Sequence, residues 1–164
     1  AFMTVLTVHL QNTPSTLWKN GRGCTRELLV WPKAEPWLLR VSVAEIEADA
    51  SFSSFDHINR CIAVLQGAGI VLTRPRGRVT LTPDNDACAF AGEDAPACQL
   101  IAGPTRDLNL MVRRGAGRAV MQRTALPESD WHWRGVYDAG VLHWSVDADT
   151  ALPAGAWHLG MERA

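Results

Sequence analysis

Apolar residues in this chain recur with period two, or in runs too short for a helix, and Gly, Pro, Asn or Asp cuts off each run. Leu39-Arg40-Val41-Ser42-Val43 and Leu108-Asn109-Leu110-Met111-Val112-Arg113 show the alternation most clearly. Side chains on a strand point to opposite faces in turn, so this spacing demands many short strands and leaves little room for helix. Strands are predicted near 4–10, 26–30, 37–45, 61–66, 70–73, 78–81, 87–90, 99–102, 108–113, 117–122, 133–137 and 141–146. Their spacing averages roughly 8–12 residues, as in sandwiches and barrels. Gln66-Gly67-Ala68-Gly69, Arg74-Pro75-Arg76-Gly77 and Pro83-Asp84-Asn85-Asp86 supply turn chemistry between apolar runs. Residues 127–131 admit one helical turn. Ala1 and Phe2, ahead of Met3, are set aside from the fold.

With 164 residues, of which 47% are apolar, the chain can bury a core of its own and makes a single compact unit over 1–164. Gly103-Pro104-Thr105 marks a seam between an N-terminal portion of about 1–103 and a C-terminal portion of about 104–164, with strand exchange between them allowed. Sixteen basic residues against seventeen acidic ones leave a formal charge of -1, which argues against nucleic acid or an anionic membrane as partner. Fourteen of the sixteen are Arg, the side chain that meets carboxylates with two parallel hydrogen bonds. Cys24, Cys61, Cys88 and Cys98 show no CxxC spacing, and no basic leader or membrane-length apolar run is present, so the expectation is a reduced cytoplasmic protein with inert thiols. His9, His57, His132, His143 and His158 are scattered without HxH or HExxH spacing, and no metal or other cofactor is expected.

Three stretches could carry chemistry. Trp18-Lys19-Asn20-Gly21-Arg22-Gly23-Cys24-Thr25-Arg26-Glu27 places glycines, donors and an aromatic just before a strand. It lacks the third glycine and the GK[ST] of a phosphate loop, so it is either a solvated turn or part of an anion site. On the two alternating strands, Arg40 with Ser42 and Asn109 with Met111 and Arg113 share the mixed face; that face meets water in a sandwich and a ligand in a barrel. Phe52-Ser53-Ser54-Phe55-Asp56-His57-Ile58-Asn59-Arg60 brackets serines with aromatics, which either line a cavity mouth or plug the core. Trp131, Trp133, Trp144 and Trp157 fit interstrand packing better than base stacking. Arg74, Arg76 and Arg78 fit a solvated hairpin tip.

Taken together these stretches resemble the HutD/Ves family of bacterial proteins. The likeness runs over Leu17–Pro32, Trp37–Leu72 and Arg106–Arg114, through W-[KR]-N-G-x-G-x-T-R-E, W-R-x-S-x-A, F-S-x-F, R-x-[LI]-x-x-L-x-G and D-x-N-x-M-x-R elements. It implies an all-β fold of cupin-like (RmlC-like jelly roll) antiparallel β-barrels in a bicupin-like arrangement, without the cupin metal ligands. It also implies a role tied to histidine utilisation or stress responses, exerted by binding a small pathway intermediate. The implied site residues are Trp18, Asn20, Gly21, Thr25, Arg26 and Glu27; Arg40 and Ser42; Phe52, Ser53, Phe55 and Arg60; and Asp107, Asn109, Met111 and Arg113. Two departures stand out: the F-x-G turn reads Phe55-Asp56-His57 here, and the C-terminal third, ending at Ala164, matches weakly.

The leading expectation is therefore a metal-free binder of a small carboxylate such as formylglutamate, formiminoglutamate or urocanate. Arg40, Arg26 or Arg113 would meet the carboxylate, and Asn20, Thr25, Ser42 and Asn109 would orient the rest. Trp18, Phe55 and Met111 would form apolar walls. Without ligand, Glu27 or Asp107 would pair with the buried Arg. Two alternatives remain: a metal-independent isomerase, epimerase or lyase with His57, Glu27 or Asp107 as base, and an interaction module dimerising through a strand edge or the Trp-rich C-terminal region.

Overall fold

A computed structural model describes residues 4–164, so Ala1, Phe2 and Met3 lie outside the described residues. The strands are β1 (Leu6–His9), β2 (Ser15–Leu17), β3 (Gly23–Trp31), β4 (Leu39–Ile46), β5 (Ala50–Ser51), β6 (Ile58–Gln66), β7 (Ile70–Arg74), β8 (Gly77–Leu81), β9 (Cys88–Ala91), β10 (Ala97–Leu100), β11 (Thr105–Arg113), β12 (Gly117–Gln122), β13 (Trp131–Asp138), β14 (Val141–Ser145) and β15 (Trp157–Arg163). Helix among the described residues is confined to two 3-10 turns, Leu10–Asn12 and Gly92–Asp94. No described helix is long and apolar enough to cross a membrane. The helical turn admitted at 127–131 does not form; Trp131 instead opens β13 and its indole N–H donates to the Pro127 carbonyl.

All pairings are antiparallel. They build a six-stranded sheet, β2-β3-β4-β11-β6-β9, a five-stranded sheet, β1-β14-β13-β15-β12, and a four-stranded sheet, β5-β10-β7-β8. None of the three closes on itself through its strand pairings. Chain order and sheet membership cross: β11 lies between β4 and β6, while β1 pairs with β14.

The six-stranded sheet is the central layer because both of its faces are covered. Leu39, Val41 and Val43 of β4, Leu108, Leu110 and Val112 of β11, and Cys61 and Ala63 of β6 share one face. They pack in one core with Met121, Trp133, Tyr137, Leu142, Leu159 and Met161 of the five-stranded sheet. On the opposite face Ile46, Ile62, Val64 and Phe90 join Ile70, Leu72, Leu81 and Cys98 of the four-stranded sheet in a second, smaller core. This second core covers only part of the mixed face, and the uncovered remainder is where the polar residues collect.

β15 belongs to no predicted strand. Trp157, Leu159 and Met161 do alternate inward, but Gly160 interrupts the run. A Cβ at Gly160 would stand 2.6 Å from the Trp131 ring, so glycine is the residue that lets this indole lie flat on the strand. Trp131, Trp133 and Trp157 are buried, and Trp133 stacks on Trp144 at 6.3 Å between ring centres. Three of the four C-terminal tryptophans are thus taken up by the core of their own chain.

Candidate functional site

A cavity of about 450 Å³ opens on the polar face of the central sheet. Register fixes its floor. Arg40 of β4 stands opposite Met111 of β11, which stands opposite Arg60 of β6; one row further along, Ser42 faces Asn109, and beyond that Ala44 faces Asp107. On β3, Thr25 lies beside Ala44 and Glu27 beside Ser42. The register then shifts between Glu27 and Leu29, a β-bulge that leaves Leu28 in the dry core and brings Val30 opposite Arg40. The expected loop from Trp18 to Glu27 is therefore a hairpin whose second half is already strand.

The tip of that hairpin forms one wall. Gly21 sits at φ +71°, the left-handed conformation that the tight turn requires, and its N–H donates to the Trp18 carbonyl at 2.9 Å. The Trp18 indole then folds back, its N–H donating to Thr25 Oγ1 at 2.8 Å. A Cβ at Gly23 would come within 2.5 Å of the Glu45 carbonyl and 3.0 Å of the indole, so the strand accepts only glycine under Trp18. Trp18 and Asn20 from the tip, and Phe52, Ser53 and Phe55 from the segment after β5, complete the enclosure.

Arg60 is 5% exposed although it carries charge. Its guanidinium carbon lies 5.3, 5.4 and 5.0 Å from the ring centres of Phe52, Phe55 and Phe90. Three aromatic quadrupoles thus replace much of the water the cation has lost. Nη2 donates to Asn109 Oδ1 at 2.7 Å, and Asn109 Nδ2 donates to Asp107 Oδ1 at 2.6 Å, so an amide bridges cation and carboxyl. Arg60 Nε and Nη1 and Asp107 Oδ2 are buried without a hydrogen-bond partner among the described residues. Burial pushes the Asp107 carboxyl up to about 7, against the opposing pull of Arg60, the Ala44 backbone N–H and the Asn109 amide. Burial also lowers the Arg60 guanidinium to about 10, although Asp107 works to raise it.

Arg40 is balanced separately. Its Nε lies 2.9 Å from Glu27 Oε1, an ion pair too bent to count as a hydrogen bond. Glu27 is half exposed, so this pairing is worth at most about 1 kcal/mol.

The cavity thus gathers Trp18, Asn20, Thr25, Arg40, Ser42, Phe52, Ser53, Phe55, Arg60, Asp107, Asn109 and Met111 from the expected set. Four expected residues do not line it. Gly21 shapes the turn, and Glu27 holds Arg40 from outside. Arg26 alternates onto the opposite face, where Nη1 reaches the Leu10 carbonyl at 3.4 Å. Arg113 lies past the end of the cavity, its Nε on the Trp37 carbonyl at 3.0 Å and its guanidinium over the Trp37 ring. Neither Arg26 nor Arg113 is placed to meet a ligand in the cavity. Leu17, Lys19, Ala44 and Ser51 were not expected there but are present. Ala44 follows from extending the 40, 42 alternation by one step, whereas nothing local marks Leu17 or Ser51.

Of the three general-base candidates, only Asp107 lines the cavity. The His57 backbone N–H donates to Glu93 at 3.0 Å, and the residue adopts φ +63°. His57 thus occupies in left-handed conformation the position where the resembling pattern carries glycine. Among the described residues no three His, Cys, Asp or Glu side chains are grouped as metal ligands. The four thiols are free, and burial pushes Cys61 and Cys98 up to about 12, so both remain protonated.

A wider groove of about 600 Å³ lies over the five-stranded sheet, with Arg134 and His158 in its lining. Arg134 Nη2 is committed to the carbonyls of Asp147 and Thr150, so its guanidinium serves to hold the 147–150 loop. The smaller cavity is the stronger candidate because a buried cation, an amide and a carboxyl converge there with bonding capacity unused.

The fold and site define a class: a cupin-like, all-β protein with a polar cavity enclosed against its central sheet. The Cnp3 cupin domain of Schizosaccharomyces pombe shares the fold at a TM-score of 0.50 and 17% identity, over 63% of this chain and 71% of that one. A sequence model of the HutD family matches residues 10–154, and the chain belongs to that family. HutD from Pseudomonas fluorescens SBW25, solved in a formate condition, superposes at a TM-score of 0.83 with 26% identity, over 98% of this chain and 100% of that one. An uncharacterised 21.2 kDa protein from the hutC 3′ region of Pseudomonas putida is 37% identical over 68% of this chain and 60% of its own length. Protein Ves of Citrobacter koseri is 29% identical over 92% of this chain and 74% of its own length. The chain thus spans less than two thirds of the Pseudomonas putida relative.

Proposed function

We propose that this protein binds a small carboxylate in the cavity, without metal, and that occupancy regulates the use of histidine-derived compounds. The single observation that carries the binding step is Arg60: a buried guanidinium with two nitrogens unpaired, in a residue that lines a cavity of small-metabolite size. An unpaired buried donor is costly, and a carboxylate removes that cost by accepting charge-assisted hydrogen bonds. Arg40 supplies a second cation nearer the rim, loosely held by Glu27 and free to turn toward a second anionic group. Asn20, Thr25 and Ser42 provide polar contacts, and Trp18, Phe55 and Met111 provide apolar walls. The regulatory part draws on the family and on the hutC-region origin of the Pseudomonas putida relative. In this proposal the protein acts in the cytoplasm.

The test is a thermal-shift series with histidine, urocanate, formiminoglutamate, N-formylglutamate and glutamate, run beside Arg60→Gln and Arg40→Ala. A ligand at a hundred times its dissociation constant adds about 2.7 kcal/mol, a rise of several degrees for a chain of this size. A carboxylate-selective rise that disappears in Arg60→Gln is expected. A rise equal in wild type and both variants would place the ligand elsewhere.

A further inference from the structure

Counting charges around the carboxylate site proposed above shows how it stays electrically balanced when filled. Arg60 projects from β6 and Asp107 from β11, and both are buried on the cavity wall. Arg40 of β4 and Glu27 of β3 cancel one another, and Lys19 lines the cavity from the hairpin tip. Glu45 of β4 is held by Arg106 on the far face of the sheet, and Cys98 of β10 faces Asp107 as a neutral thiol. One fully buried cation is left to serve two carboxyl groups once an anionic ligand has entered.

Desolvated carboxylates that share a site do not both ionise. Asp107 is built to be the neutral partner. Its Oδ1 is held by Asn109, while its Oδ2 is buried and unpaired, in a residue that lines the cavity. As an anion that oxygen is an acceptor with no side-chain partner; carrying a proton it becomes a donor.

We propose that Asp107 is the second half of the carboxylate-recognition site, taking one proton from solvent onto Oδ2 as the ligand enters and donating that O–H to the carboxylate held by Arg60. Where Asp107 is ionised in the empty site one proton enters with the ligand, no covalent bond is made or broken, and the buried part of the filled site holds one cation, one anion and one neutral acid. Burial of Asp107 favours the protonated form near neutrality, so uptake there demands little. Asp107 is by this assignment a specificity-determining residue: it favours an ionised carboxylate, with two acceptor oxygens, over an ester, amide or alcohol of the same shape. Binding is also tied to pH near neutrality.

The probe is propionate, ionised throughout the range used, titrated against wild type and Asp107→Asn at pH 6, 7 and 8 while following the Trp18 indole N–H resonance. With the Asp107 carboxyl at about 7 in the empty site, the wild-type Kd is expected to rise roughly tenfold between pH 6 and pH 8. Binding in weakly buffered solution near pH 8 is expected to consume close to one proton per ligand. In Asp107→Asn the amide N–H replaces the carboxyl O–H, so the Kd is expected to be flat with pH. Saturable wild-type binding that is flat with pH and takes up no proton would overturn the role of Asp107 while leaving the carboxylate site in place. A variant that keeps the wild-type slope would do the same. Absence of saturable binding at every pH would overturn both. The wild-type profile and proton count decide the matter even if the variant fails to fold.

Discussion

The two faces of the central sheet use the same strands for opposite purposes. On one face Leu39, Val41, Leu108, Leu110 and Val112 are wholly buried and belong to one apolar core. One residue along in each case, Arg40, Ser42, Asp107, Asn109 and Met111 line a cavity, and Arg40 Nε and Asp107 Oδ2 are left unsatisfied. The contrast teaches where the stability comes from. A dry face with apolar burial worth roughly 25 cal/mol per Å² anchors each strand, and the opposite face can then tolerate unpaired charge that a free-standing strand could not.

The sharpest way to break the contrast is Leu110→Ala on the dry face. Unfolding in urea should show a loss of about 2–5 kcal/mol, while propionate affinity of the folded protein stays as in wild type. A loss below about 1 kcal/mol would mean the dry face is not the anchor.

Next in size is the pH dependence of stability set by Asp107. Its folded carboxyl titrates at about 7, against about 4 in an unfolded chain, so between these values the folded state holds the extra proton. Stability therefore falls as pH rises from about 4 to about 7, by a few kcal/mol, and is flat on either side as far as this group is concerned. Urea midpoints at pH 5 and pH 8 should differ in this direction in wild type and converge in Asp107→Asn.

Arg60→Gln should weaken propionate binding by roughly 30- to 150-fold, as expected for losing a charge-assisted hydrogen bond of about 2–3 kcal/mol. The same change on the dry side of the contrast, Arg26→Gln, should leave Kd within twofold of wild type. The smallest effect lies outside the cavity lining. His57 holds φ +63° without being glycine, so His57→Gly should raise stability by about 0.5–1 kcal/mol, read as a urea midpoint shift.

Strand periodicity made most of this architecture legible. Alternation alone separated Leu39-Val41-Val43 from Arg40-Ser42, and Leu108-Leu110-Val112 from Asn109-Met111, because a strand offers only two faces. Which face was enclosed could not be read locally, since it depends on β5, β7, β8 and β10 folding over the sheet from residues 50–100. Arg26 and Arg113 show the limit of motif reasoning. Both belong to strands that border the cavity, yet one points to the wrong face and the other stands past the cavity's end. β2 and β5 escaped detection because two or three half-exposed or exposed residues carry no periodicity. Phe90, the third ring over Arg60, lies on β9 and reaches the site only through its pairing with Arg60 on β6.

The most direct measurement follows the side-chain N–H resonances of Arg60 Nε, the Trp18 indole and the Trp133 indole during titration with propionate. Trp18 lines the cavity, whereas Trp133 is buried in the dry core on the other side of the sheet, so it serves as an internal control. The expected result is saturable movement of Arg60 and Trp18 with one common Kd, while Trp133 stays still. Movement of Trp133 with Arg60 unmoved, or no saturable movement at all, would contradict the assignment of this cavity as the carboxylate site.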